Sequence, residues 1–169
     1  MGFLNKLFGK RSRAKEGPSA GEGLRNMMLT SSPSETGVTP SAAYPRVYAC
    51  MMDFGMSGHM FSVIANSTGD ASLYSTSQFG IIGGGAHESV RDAGRAFIRV
   101  AEENFDLSSP THDVGYGSPE NVRFYFLTFD GLRKVDTPVS DLGDENSQCY
   151  GLHNAGQELL GELRMASGG

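Results

Sequence analysis

The chain has 169 residues, 38% of them hydrophobic and 20% charged, with no Trp and a net charge of −5. That is enough for one domain with a core and too little for two ordinary ones. No apolar run approaches the roughly 20 residues that span a bilayer, and the basic N-terminus lacks the apolar core and small-residue cleavage site of a signal peptide.

The charge is unevenly divided. Lys6, Lys10, Arg11, Arg13 and Lys15 give residues 1–15 five positive charges and no acid, leaving 9 basic and 19 acidic side chains in the rest. An acidic body argues against nucleic acid as a partner, and the expected location is the cytoplasm. Cys50 and Cys149 have no CxxC spacing, so they are expected to be free, buried thiols.

Residues 1–11 place Phe3, Leu4, Leu7 and Phe8 on one face of a short helix, with Lys6, Lys10 and Arg11 off that face. Such a segment suits docking to an anionic membrane surface or a partner groove, and at about 10 residues it is too short for stable isolated helicity. Residues 12–44 are rich in Gly, Ser, Thr and Pro and read as a flexible linker, with one helical turn at Leu24–Leu29.

The folded domain is expected over residues 45–166. Val47–Phe54, His59–Ala65 and Ala71–Thr76 read as a three-stranded meander joined by short turns. A long helix follows over Ser89–Asn104, with Val90, Ala93, Gly94, Phe97, Ala101 and Phe105 on its buried stripe and Ser89 as its N-cap. Residues 106–118 read as a loop. Asn121–Phe129 is the strongest strand, and Asp130-Gly131 turns it into Leu132–Val135. An acidic loop, Asp141–Glu145, leads to a final helix over Ser147–Arg164. The order β-β-β-α-β-β-α predicts an α+β fold: one antiparallel five-stranded sheet with both long helices on one face, preceded by a disordered arm.

The functional candidates centre on Gly80-Ile-Ile-Gly-Gly-Gly85, which runs into His87 and Glu88. Glycines at a helix start allow positive φ and present N–H groups to an anion, so Gly83, Gly84, Gly85 and His87 are the candidate ligand-binding residues. The run lacks the Lys-Ser/Thr of a Walker loop and the spacing of a dinucleotide loop. The alternative is a packing corner in which Ile81 and Ile82 plug the core. His87 is the candidate base and Glu88 its orienter. The four His are scattered, so no metal site and no cofactor are expected. Arg91, Arg95 and Arg99 form a row whose simplest role is pairing with neighbouring acids.

The segment Gly80-Ile-Ile-Gly-Gly-Gly-Ala-His-Glu-Ser-Val-Arg-Asp-Ala-Gly-Arg-Ala-Phe97, with Phe124-Tyr-Phe-Leu-Thr-Phe-Asp-Gly131 and the opening Met1–Arg11, resembles a group of small bacterial cytoplasmic proteins with no established activity. The resemblance implies a bacterial source and no residue roles. Some small domains of this kind serve as immunity or adaptor proteins in toxin systems. The expectation is therefore a non-enzymatic protein-binding module, tethered through residues 1–15 to a partner or to the inner membrane surface. The rival is a small enzyme or sensor holding a phosphate or carboxylate at Gly83–Gly85.

Overall fold

The computed structural model describes residues 19–168. Strands β1 (Val47–Met56), β2 (His59–Asn66), β3 (Ala71–Ser75), β4 (Ser109–Pro110), β5 (Asn121–Thr128) and β6 (Gly131–Pro138) form one antiparallel sheet in the order β3-β2-β1-β5-β6-β4. Four helices accompany it: α1 (Ala20–Thr30), α2 (Pro33–Thr36), α3 (Glu88–Glu103) and α4 (Tyr150–Ala166). The class is α+β, as the strand order predicted.

The strand beyond the expected five is β4, a two-residue bridge inside the segment read as a loop. Ser109 and Pro110 pair with Lys134 and Arg133 at the sheet edge, where a proline's missing N–H is tolerated. β1 and β5 lie side by side in the sheet, pairing Cys50 with Phe126 and Met52 with Phe124. The β1–β2 hairpin turns through Ser57 and Gly58, both at positive φ (53° and 78°), the geometry of a two-residue turn matched to strand twist.

Strand alternation sends side chains to two different layers. On one face Cys50, Met52, Val63, Leu73, Phe124 and Phe126 pack against Val90, Phe97 and Ile98 of α3 and Leu152, Leu159 and Leu163 of α4. Both long helices thus cover the same face. On the other, Tyr48, Met51, Ile64, Tyr74, Tyr125 and Leu127 pack against Leu29, with Leu24 and Met28 at the margin.

That second layer corrects the linker expected over residues 12–44 for its described part, residues 19–44. From Ser19 the chain is folded, and α1 closes the sheet's second face. Ser19 and Glu22 explain why the helix starts there. The Glu22 N–H donates to Ser19 Oγ (3.2 Å) and the Ser19 N–H to Glu22 Oε2 (2.9 Å), a reciprocal capping box. The folded domain therefore extends N-terminal of Pro45, to Ser19 at least.

Two helix starts also move. α3 begins at Glu88 with His87, not Ser89, as the capping residue, extended at φ −99°, ψ 129° and without a side-chain cap bond. α4 begins at Tyr150, after Ser147 has been taken up in a turn by its N–H bond to the Asp144 carbonyl (2.9 Å).

Candidate functional site

The glycine corner between β3 and α3 is a packed junction. Gly83 takes the left-handed conformation at φ 71°, and Gly84–Ala86 form one turn of 3-10 helix. Gly84 is buried, and a Cβ there would meet the Leu163 side chain as well as Val90 and the Ala71 carbonyl oxygen, both at 3.2 Å. The Gly85 N–H donates to Asp70 Oδ1 (3.3 Å), Arg91 Nη1 donates to the Gly85 carbonyl (2.7 Å), and the His87 N–H donates to the Gly84 carbonyl (3.2 Å). His87 and Glu88 are exposed beside it.

The nearby nucleophilic and basic side chains are engaged elsewhere. Cys50 is buried in the core as a free thiol, as is Cys149. Ser75 Oγ is bonded to Ser77 Oγ (2.7 Å) and the Phe79 carbonyl (2.5 Å). Arg91 and Arg95 donate to the carbonyls of Gly85 and Thr68, and none of the ion pairs among the described residues involves Arg91, Arg95 or Arg99. The pairing expected for that row is corrected: Arg91 ties α3 to the glycine corner and Arg95 ties it to the β2–β3 turn. No group of three or more His, Cys, Asp or Glu side chains among the described residues could hold a metal.

The densest ionic cluster escaped the sequence reading. Arg25 of α1 is 1% exposed and Asp53 of β1 is 0% exposed. Arg25 Nη2 donates to Asp53 Oδ2 (2.5 Å) and Arg25 Nε to Oδ1 (3.3 Å), while Ser62 Oγ donates to Oδ1 (2.5 Å). The remaining Arg25 donors reach the Val114 carbonyl (2.7 Å), the Gly115 carbonyl (3.2 Å) and Asn26 Oδ1 (2.9 Å). The Tyr116 ring lies 4.0 Å from the guanidinium, within cation–π range.

A second shell of charge continues from it. Arg123 grips Asp136 through two bonds (2.7 and 3.0 Å) and reaches Asp113 (3.0 Å), which also accepts from Lys134 (2.9 Å). Tyr125 donates its hydroxyl to the Gly115 carbonyl, which also accepts from Arg123 Nη1.

The electrostatics follow from these contacts. Burial pushes the Asp53 carboxyl up, opposed by the bonds from Arg25 and Ser62. Burial also works against the Arg25 cation, but the bond to Asp53 and its charge leave the guanidinium above its ordinary range. The Lys134 hydrogen bond, then that of the Gly115 N–H, draws Asp113 down to about 2. Every Arg25 donor group has an acceptor, and the Ser62 hydroxyl is buried. This arrangement fastens α1 and the 113–116 loop to the sheet and leaves no group aimed at a reactant.

Of the surface grooves among the described residues, two lie beside the elements that flank the glycine corner. The first, about 380 Å³, lies at the β3 edge between α1 and the loop that follows the strand, lined by Ser19, Leu24, Leu73, Tyr74, Phe79 and Ile82. Ile81 exchanges both backbone hydrogen bonds with Leu73 (2.7 and 2.9 Å), which straps the loop alongside β3. Ile81 packs on the core, but Ile82 is 69% exposed and Phe79 53% exposed. The expectation that Ile82 plugs the core is thus corrected. The second groove, about 480 Å³, runs between α3 and α4 over Ala93, Ala96 and Gly161, with Asp92, Glu158 and Glu162 on its rim.

Among the described residues no helix is long and apolar enough to cross a membrane. The docking candidates Phe3, Leu4, Lys6, Leu7, Phe8, Lys10 and Arg11 lie outside the described residues. The chain matches no protein-family model, no curated protein and no solved structure.

Proposed function

We propose that this chain is a non-enzymatic protein-binding adaptor of a bacterial cytoplasm, held at the inner membrane surface through residues 1–15. The observation that carries the reading is the apolar groove at the β3 edge. Phe79 and Ile82 stand largely exposed over Leu24, Leu73 and Tyr74. Adjacent large apolar side chains facing water at one site mark an interaction surface. Hydrophobic anchors of a partner's segment would fill it, with the backbone of the strapped loop fixing their position.

The buried Arg25–Asp53 pair supports the same reading. It holds α1 as a fixed wall of the groove, so the seat is formed before a partner arrives, which lowers the ordering cost of binding. The basic residues of the arm add electrostatic attraction to anionic lipid, roughly 1 kcal/mol for each Lys or Arg near the surface.

Two variants test the parts separately. Affinity capture from the native cell with Phe79→Ser/Ile82→Ser should lose the partner that the parent chain retains, while the variant stays in the membrane fraction. Deletion of residues 1–15 should shift the protein out of the membrane fraction. A partner retained by the groove variant would contradict the assignment of the groove, and an unaltered fraction after deletion would contradict the tether.

A further inference from the structure

Resting on the reading of the β3-edge groove as a binding surface, we infer that the groove is filled in the free protein by the chain's own Phe3, Leu4, Leu7 and Phe8. The groove and the arm's apolar face would then mask one another until one of them is engaged elsewhere.

Three observations converge. First, the chain enters the described fold inside the groove: Ser19 is one of its lining residues, and its Oγ donates to the Ser75 carbonyl (3.4 Å) at the end of β3. Ten residues, 9–18, separate Phe8 from Ser19. Extended, that length reaches about 33–36 Å, far more than a fold-back onto the adjacent groove requires. Second, the chemistry of the two surfaces matches. The arm's stripe consists of large apolar side chains, and the groove presents Leu24, Leu73, Tyr74, Phe79 and Ile82. Third, a segment of about 10 residues cannot hold a helix alone in water, so its stripe becomes a defined surface only against another apolar surface.

The α3–α4 groove is the weaker seat. Its acid rim would suit the arm's lysines, but Met165 is its one large apolar side chain, beside the small Ala93, Ala96 and Gly161. It also belongs to the sheet face opposite α1. In the β3-edge groove the basic flank of the arm remains in water, and an anionic surface then competes for the same apolar face.

The test uses the full chain with Asn5→Cys carrying a nitroxide. Cys50 and Cys149 are buried, so the label goes to residue 5. Paramagnetic broadening should cause loss of the amide signals of Leu24, Leu73, Phe79, Gly80 and Ile82, unaffected by dilution. The signals should return in Phe79→Ser/Ile82→Ser, whose spectrum elsewhere reports an intact fold. Adding vesicles of anionic phospholipid should restore them in the parent chain. Three results would overturn the inference: no broadening at the groove, broadening at Asp92, Glu158 and Glu162 instead, or broadening that appears only between labelled and isotopically marked copies in a mixed sample. Because the readout involves neither a partner nor the cell, it can fail while partner capture at the groove succeeds, and the reverse.

Discussion

Arg25 of α1 and Asp53 of β1 meet through two hydrogen bonds, Nη2 to Oδ2 at 2.5 Å and Nε to Oδ1 at 3.3 Å, in the interior of the second layer. A buried pair of this kind adds little over an apolar pair of equal volume, but removing one partner strands a charge. Arg25→Met should therefore lower the free energy of unfolding by about 3–5 kcal/mol, and Arg25→Leu/Asp53→Leu should recover much of that loss. Denaturant unfolding monitored by circular dichroism measures both. A loss below about 1 kcal/mol for the single variant would mean that α1 is not fastened as described.

Two glycines on α1 give opposite expectations from the same substitution. A Cβ at Gly21 would meet the Ser75 backbone, including its carbonyl oxygen, whereas at Gly23 it meets nothing within 4 Å. Gly21→Ala should destabilise by about 1–3 kcal/mol through overpacking. Gly23→Ala, exposed on the same helix, should stabilise by about 0.5–1 kcal/mol through helix propensity. Thermal unfolding of the pair decides it; equal shifts would show that α1 does not rest on β3.

Asp113 supplies an acid-side signature. Its carboxyl is drawn down to about 2, first by Lys134 and then by the Gly115 N–H, from an ordinary 3.8. A depressed folded-state value means that the contribution is complete above the unfolded value and disappears as pH falls from about 4 to about 2. The group is half exposed, so the effect is small. Asp113→Asn should flatten the stability profile in that window and leave it unchanged in shape above pH 5. An identical acid limb in the variant would contradict the role given to Lys134.

Tyr116 gives the alkaline counterpart. Burial, the largest influence, holds its phenol up to about 12 from an ordinary 10.0. A raised folded-state value means stability that is complete below about 10 and is lost as pH climbs toward 12. Ultraviolet titration should show a late-ionising tyrosine that is missing in Tyr116→Phe. If Tyr116 ionises near its ordinary value of 10.0, the 113–116 loop does not cover Arg25.

The strands and the two long helices were legible because their apolar residues recur at periods of 2 and 3.6. α1 was legible only as a single turn at Leu24–Leu29, since its most buried position is an arginine and its large apolar residues are confined to Leu24, Met27, Met28 and Leu29. The spacing Ser19-Ala-Gly-Glu22 was available as a helix start. So was Asp53, a lone acid within the apolar run Cys50-Met-Met-Asp-Phe54, which a buried strand accommodates only with a cation beside it. The glycine run announced a corner, but the exposure of Phe79 and Ile82 was not readable. It depends on the Leu73–Ile81 strap, a backbone pairing that no side-chain pattern encodes.

Whether the β3-edge groove seats an apolar segment is decided by titrating a synthetic peptide of residues 1–15 into the chain lacking them, followed by amide chemical shifts. Residues 19–168 contain both cores, so the shortened chain keeps its fold. Saturable shifts should be confined to Leu24, Leu73, Tyr74, Phe79 and Ile82, and abolished by Phe79→Ser/Ile82→Ser. Shifts centred on Asp92, Glu158 and Glu162, or no saturable shifts at all, would contradict that seating.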